Sequence, residues 1–201
     1  MDAEWLGYAG AVLMTSMSLP QIARIVRDRS AAGVSLLTWL VFCVSGTGWL
    51  AYGLILRAPA IIAGNVPFVS GSVCVVVLLL IRQRRWGLVP AVGTPVATVL
   101  VAVALLTHLP PMVSSGLGVL GGILTMLPQL LESVQRRRAG LVSEVSLATL
   151  GLLLAGQSLW LAYGLARPDV PIIVTNVIAV TVTSALIAVE WRSPTRRVAG
   201  H

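Results

Sequence analysis

Seven long apolar runs, separated by short polar segments, constrain the fold of this chain more than any other feature of its sequence. They cover residues 5–27, 34–56, 60–81, 88–108, 113–135, 145–166 and 170–190. Each is close to the ~20 residues that an α-helix needs to cross the hydrocarbon core of a bilayer. The runs lack the alternation of apolar and polar residues that is typical of β-strands. We therefore predict an all-α integral membrane protein with seven transmembrane helices.

The composition excludes a soluble protein. Apolar residues make up 57% of the 201 residues and charged residues 10%, whereas an ordinary soluble domain has about 25% charged residues. A soluble fold cannot bury so many apolar side chains. The spans leave no room for a soluble catalytic domain, and the sequence places no metal-ligand cluster, acid pair or Ser/His set in one layer. We therefore expect no enzyme activity, no cofactor and no metal.

The arginines are distributed unequally between the two sides of the predicted spans. All fourteen basic residues are arginine. With the N-terminus outside, the inner segments hold Arg24, Arg27, Arg29, Arg82, Arg84, Arg85, Arg136, Arg137, Arg138, Arg192, Arg196 and Arg197. The outer loops hold only Arg57 and Arg167. Because basic residues concentrate on the cytoplasmic side, we predict an outside N-terminus and a cytoplasmic C-terminus in the cell membrane. We expect no nucleic-acid partner, since the orientation of the protein in the membrane explains the arginine clusters.

Four short blocks occur twice in the same order, which indicates an internal repeat. The first copies are Leu19-Pro20-Gln21, Val34-Ser35-Leu36, Trp49-Leu50-Ala51-Tyr52-Gly53 and Asn65-Val66, and the second copies are Leu127-Pro128-Gln129, Val145-Ser146-Leu147, Trp160-Leu161-Ala162-Tyr163-Gly164 and Asn176-Val177. The separation between copies is constant for the last three blocks and slightly shorter for the Pro-Gln block. We predict one three-helix repeat in residues 1–85, a linker helix in 86–111, and a second three-helix repeat with a short tail in 112–201. The lone linker helix keeps the two repeats parallel, because three spans alone would invert the second.

Two three-helix units, each with Pro-Gln in its first helix and joined by a lone helix, resemble the SWEET sugar transporters of the PQ-loop superfamily. The resemblance covers nearly the whole chain and corresponds to two SemiSWEET-like repeats. It implies two parallel bundles in a 3+1+3 arrangement and sugar transport by alternating access. It also implies that the proline of each Pro-Gln pair takes part in the conformational change.

The repeated Trp and Asn residues are the candidate substrate-binding residues. Trp49 and Asn65 flank the same outer turn, and at 1.5 Å per residue both lie about 10 Å below the outer end. Trp160 and Asn176 do the same in the second repeat. An indole can pack on the C–H face of a sugar ring, and an amide offers a donor and an acceptor to hydroxyl groups. In SWEET-like proteins the corresponding residues line the sugar pocket, and two bulky indoles favour a monosaccharide over a disaccharide. An asparagine that joins helices and a tryptophan at the membrane interface are the alternatives.

The Pro-Gln pairs are candidate hinges. Pro20 and Pro128 lie in the inner halves of the first and fifth spans, where each proline removes one helical hydrogen bond. Gln21 and Gln129 can bond the backbone groups that are freed nearby. A static kink, which is common in membrane helices, is the alternative.

The outer turns carry a candidate gate. Its residues are Tyr52, Arg57, Tyr163, Arg167 and Asp169. The tyrosines lie one helical turn outward of the Trp layer, and the charged residues lie at the mouth. Ring contacts and a polar pair could close this end, although anchoring at the interface explains the same residues.

The sequence places no carboxylate or histidine in the middle of the membrane, whereas proton-coupled carriers usually have an ionisable relay there. We therefore predict a facilitative uniporter for a small sugar, a monosaccharide such as glucose, with the lipid bilayer as its environment. A homo-oligomer is compatible with the sequence. Two alternatives stay open: a PQ-loop transporter of amino acids such as cystine, and a non-transporting seven-helix receptor of the same fold. Each would need charged residues in its pocket.

Overall fold

The protein is all-helical in the regions that its structure, a computed structural model, describes. These are residues 3–16, 22–23, 26–27, 34–83, 86–139 and 146–191. They contain no β-strand and seven helices with defined bounds: α1 (Glu4–Ser16), α2 (Leu36–Leu56), α3 (Pro59–Arg82), α4 (Leu88–Leu106), α5 (Pro111–Arg138), α6 (Leu147–Ala166) and α7 (Val170–Trp191). The predicted all-α class is confirmed.

Six of the helices, α2 to α7, are long and apolar enough to cross a membrane. They have 19 to 28 residues, and their most apolar windows have mean hydropathies of 1.3 to 2.3. The shortest would be about 28 Å long, close to the ~30 Å of a hydrocarbon core. The described part of α1 has 13 residues, and the rest of the predicted span 5–27 lies mainly outside the described residues. The chain is thus a multi-pass membrane protein.

Local signals set where several helices begin. The side chains of Ser35 and Ser146 accept the backbone N–H groups of Thr38 and Thr149, at 3.3 and 3.4 Å. The repeated Val-Ser-Leu block is therefore a pair of N-caps, which satisfy donors that the first helical turn leaves free. Proline occupies the first turn of α3 and α5, where its missing N–H costs no hydrogen bond.

The helices pack in two matching sets. In the first set α1 packs on α3 and α3 on α2, and in the second α5 packs on α7 and α7 on α6. Between the sets, α2 packs on α5 and α1 packs on α6. Each of these contacts has its counterpart under exchange of the two repeats. Helix α4, the predicted linker, contacts α2 and α3, and most of its side chains are exposed, as they would be towards lipid.

Candidate substrate-binding site

A cavity of about 180 Å³ lies where the two sets of helices meet. All four predicted binding residues line it: Trp49, Asn65, Trp160 and Asn176. They come from α2, α3, α6 and α7, and residues of α1 and α5 complete the wall. None of the described lining residues carries a charge. The repeat comparison therefore identified residues that the fold brings to one place.

Each indole of the cavity lies against a glycine from the other set of helices. A Cβ at Gly118 of α5 would lie 2.4 Å from Nε1 of Trp49, and a Cβ at Gly10 of α1 would lie 2.9 Å from Cδ1 of Trp160. Such distances are too short for any side chain, so only glycine fits at these two positions. Gly10 and Gly118 have the same separation along the chain as the two Pro-Gln pairs, so they are equivalent positions of the two repeats. The two tryptophans thus bridge the two helix sets in equivalent ways.

Tyrosines support the same indoles on the side of the α2–α3 and α6–α7 turns. Trp49 and Tyr52 pack edge to face with ring centroids 5.7 Å apart, and Trp160 and Tyr163 do so at 5.4 Å. Edge-to-face packing is a favoured arrangement of aromatic rings. In each ring pair, a cavity residue therefore packs on a residue of the predicted gate.

The two asparagines are held by their own helices. The Nδ2 group of Asn65 donates to the carbonyl of Ile61 at 2.8 Å, and that of Asn176 donates to the carbonyl of Ile172 at 2.9 Å. A primary amide has two N–H donors and one acceptor oxygen, so this bond uses one of the two donors. It fixes the orientation of each amide beside the cavity and leaves the second N–H and the oxygen for hydrogen bonds with a solute.

The cavity also contains a residue that the sequence analysis missed. Gln157 of α6 lines it and is only 1% exposed, yet neither Nε2 nor Oε1 has a hydrogen-bond partner within the described part of the chain. The same register that pairs Trp160 with Trp49 pairs Gln157 with Gly46 of the first repeat. A search for repeated polar residues could not find it for that reason.

Next to the cavity, the end of the bundle with the α2–α3 and α6–α7 turns contains a Tyr–carboxylate pair. The Tyr52 hydroxyl donates to Asp169, at 3.0 and 3.1 Å from the two carboxylate oxygens. Asp169 also accepts the backbone N–H of Ile172 at 3.1 Å, so it caps the N-terminus of α7. A residue of the first helix set is thereby bonded to the start of the last helix of the second.

A second Tyr–carboxylate contact mirrors the first, and its acid is Glu4. Glu4 accepts the Tyr163 hydroxyl at 3.4 Å, forms an ion pair with Arg167, and accepts the backbone N–H of Ala60 at 2.9 Å. The Arg167 guanidinium also lies 5.8 Å from the centre of the Tyr163 ring. Ala58, the N-cap residue of α3, provides no side-chain cap. Glu4 provides the carboxylate there that Asp169 provides at α7.

Glu4 was not among the predicted gate residues, although comparison of the two repeats indicates that an acid is missing from the first. The counterpart of Asp169 in the first repeat is Ala58, so a symmetric gate lacks an acid there. Arg57 was also predicted for the gate, and this role stays a prediction. It is the C-cap residue of α2, in the left-handed region (φ 52°, ψ 44°), is exposed, and makes no side-chain hydrogen bond or ion pair with another described residue.

Comparisons with known proteins place the chain in a family. A family model described as the PQ loop repeat matches residues 3–62. The sugar transporter SemiSWEET of Escherichia coli is 27% identical over 79 residues, which are 39% of this chain and 89% of that protein. SemiSWEET of Bradyrhizobium diazoefficiens is 28% identical over 85 residues, 41% of this chain and 91% of that protein. An uncharacterised protein of Methanocaldococcus jannaschii is 39% identical over 66 residues, 31% and 68% of the two chains.

The chain belongs to the PQ-loop family of the SWEET type. The resemblance that the repeated blocks suggested is confirmed. Almost the whole length of each SemiSWEET aligns with about two fifths of this SWEET-type chain.

The Pro-Gln pairs of this SWEET-type protein are only partly described. Pro20 and Gln21 lie outside the described residues. Pro128 lies inside α5, which continues past it to Arg138, and Pro128 and Gln129 are both exposed. The hinge role of both pairs stays a prediction.

Proposed function

We propose that this protein is a facilitative uniporter of a small neutral sugar, a monosaccharide such as glucose, and that it works by alternating access. The observation that carries the proposal is the central cavity, where two indoles and two amides meet without a charged side chain among the described lining residues. The relatives named as sugar transporters support the same substrate class.

The chemistry of the cavity suits a sugar. The indole faces of Trp49 and Trp160 can pack on the C–H groups of a pyranose ring, and the amides of Asn65 and Asn176 can exchange hydrogen bonds with its hydroxyls. A volume of about 180 Å³ is below the ~300–1,000 Å³ of pockets for drug-sized ligands. This size favours a monosaccharide over a disaccharide. An amino acid would need partners for its ammonium and carboxylate groups, which these residues do not offer.

The packing of the helices supports a 3+1+3 arrangement. Residues 1–85 and 112–201 would form the two bundles, and residues 86–111 would form the linker that keeps them parallel. The matching contacts of α2 with α5 and of α1 with α6 form the surface on which one bundle would rock against the other. The arginine distribution favours a cell-membrane protein with its N-terminus outside and its C-terminus in the cytoplasm.

The two Tyr–carboxylate contacts would form the outer gate. Tyr52 with Asp169, and Tyr163 with Glu4, each join one bundle to the other. Opening the outer side separates the bundles and breaks these bonds. Bends at Pro20 and Pro128 would let the inner halves of α1 and α5 close at the same time.

Transport would be passive. The charged residues of the proposed outer gate, Glu4, Arg167 and Asp169, bond to one another or to tyrosines. Among the described residues that line the cavity, none could carry a proton through it. A pH gradient should therefore leave the equilibrium distribution of the sugar unchanged.

Counterflow of labelled glucose in proteoliposomes tests this function. The wild type should exchange glucose and discriminate against disaccharides, and the double variant Asn65→Ala/Asn176→Ala should lose most of the exchange. Trp5→Ala, which changes an aromatic residue that is 74% exposed, is the control and should behave as the wild type. Folded wild-type protein that exchanges no monosaccharide would refute the proposal. Exchange of amino acids or of no solute would then favour the two alternatives.

A further inference from the structure

Among the described residues of the cavity wall, Gln157 is the one buried amide that its own helix does not satisfy. Its side chain is 1% exposed, and both of its polar atoms are unpartnered within the described residues. Ser158, Asn65 and Asn176, by contrast, each donate to a carbonyl four residues earlier. A buried amide without partners destabilises a folded protein. Such a group beside a cavity points to a ligand that completes its hydrogen bonds.

The position of Gln157 also makes the cavity unequal in its two halves. Its counterpart Gly46 has no room for a side chain, because a Cβ there would lie 2.7 Å from Cγ2 of Val69 and 2.8 Å from Cδ1 of Phe68. The counterpart of Phe68 in the second repeat is Ala179. The first repeat thus has a phenylalanine packed on a glycine, and the second has a small residue and a free amide.

The tryptophans and asparagines, in contrast, occur in both repeats. They make the same contacts in both, so by themselves they cannot distinguish the two ends of a bound sugar. Gln157 adds a donor and an acceptor on one side only. Two neighbouring hydroxyl groups of a sugar, one accepting and one donating, match a primary amide.

We propose that Gln157 binds a pair of adjacent sugar hydroxyls and thereby sets both the orientation of the sugar in the cavity and the preference among its stereoisomers. This assignment rests on the proposed function, since it names the same site. Gln157 acts as a specificity residue next to the four residues that the repeat supplies. Sugars that lack or invert the contacted hydroxyls bind less well.

The test measures binding of glucose and its monodeoxy analogues to purified full-length protein through quenching of tryptophan fluorescence. Gln157→Met, which keeps an unbranched side chain of similar length, should lower glucose affinity about three- to tenfold. In the wild type, removing a contacted hydroxyl should lower the affinity by a similar factor. In Gln157→Met the same removal should change the affinity less than twofold, because the partner is already absent. Penalties for the other hydroxyls should stay as in the wild type.

Control measurements separate this role from a structural one. Ser158→Ala changes an exposed neighbour on the same helix. It should leave the loss of affinity on removal of each hydroxyl unchanged. The melting temperature of Gln157→Met without sugar should equal or exceed that of the wild type, because an unpartnered buried amide has been removed. If the methionine variant does not fold, Gln157→Leu takes its place.

The outcomes are distinguishable. Two results would overturn the role of Gln157 alone. In the first, removing each hydroxyl lowers the affinity of Gln157→Met as much as it lowers that of the wild type. In the second, the variant has a lower melting temperature and binds every analogue more weakly by the same factor. A folded wild type that neither binds nor exchanges any sugar would overturn the proposed function together with this assignment.

Discussion

Removal of the Glu4 carboxylate should weaken the proposed outer gate and shift the ratio of closed to open states towards the open one. Glu4→Gln keeps an oxygen that can accept the Ala60 N–H, a bond between elements of one bundle. The substitution removes the ion pair with Arg167 and weakens the contact with the Tyr163 hydroxyl, both of which join the two bundles. The variant therefore changes mainly the contacts that would break in the proposed opening of the outer side.

The size of the effect follows from the exposure and length of these two contacts. The side chains of Arg167 and Glu4 are 46% and 23% exposed, so solvent reduces the ion pair to about 0.5–1 kcal/mol. The hydroxyl–carboxylate distance of 3.4 Å is long for such a bond, and we assign it another ~0.5–1 kcal/mol. A loss of about 1–2 kcal/mol shifts the closed-to-open ratio roughly 5- to 30-fold towards the open side.

Cysteine labelling from the outside measures this ratio. A cysteine in place of Thr175, which lines the cavity, should react with a membrane-impermeant maleimide only when the outer side is open. The background would carry Cys43→Ala and Cys74→Ala. Glu4→Gln should raise the labelling rate roughly 5- to 30-fold. Tyr163→Phe should raise it less, and the two changes should not add because they affect a shared bond.

The control for this experiment makes the same substitution elsewhere. Glu132 pairs with Arg136 one turn later on α5, at 3.9 Å, and has no contact with the gate. Glu132→Gln should leave the labelling rate unchanged. A rate in Glu4→Gln that equals the wild-type rate, with both proteins folded, would refute the assignment of Glu4 to the gate.

Three further predictions concern the cavity and the helices around it. Gly118→Ala should displace the Trp49 indole, destabilise the protein by about 1–3 kcal/mol through overpacking and reduce sugar binding at least tenfold. Gly116→Ala, on the same helix but outside the described cavity wall, should be tolerated, because a new Cβ there meets nothing beyond its own helical backbone within 4 Å; thermal melting and fluorescence titration measure both. Asp169→Ala should lose the α7 cap and the Tyr52 bond, costing about 1–3 kcal/mol of stability, and a melting temperature equal to that of the wild type would contradict it. Pro128→Ala should slow counterflow several-fold while leaving the sugar dissociation constant within about twofold, and unchanged counterflow would exclude a hinge at this position.

The helices of the fold were predictable because a bilayer demands long apolar runs. The predicted span 60–81 and the helix Pro59–Arg82 differ by one residue at each end, whereas the predicted span 113–135 is exceeded by α5 at both ends. Hydropathy marks only the apolar part of a helix. Arg136 to Arg138 continue the backbone of α5 beyond it, since arginine is a good helix former.

The candidate site was predictable only as far as it is duplicated. Trp49 and Asn65 were identified because the second repeat has the same residues at the same spacing. Gln157 and Glu4 were missed because their counterparts are not equivalent residues, and because contacts between distant helices decide their roles. Glu4 meets Tyr163 across 159 positions of sequence, a pairing that no local pattern indicates.

The most direct test of passive sugar transport is net glucose uptake into proteoliposomes with and without an imposed pH gradient. A facilitative carrier should bring the internal glucose concentration up to the external one and no further. The initial rate and the final level should be the same with either gradient direction, and the Asn65→Ala/Asn176→Ala variant should show little uptake. Accumulation of glucose above the external concentration when protons flow inward would contradict the uniport mechanism.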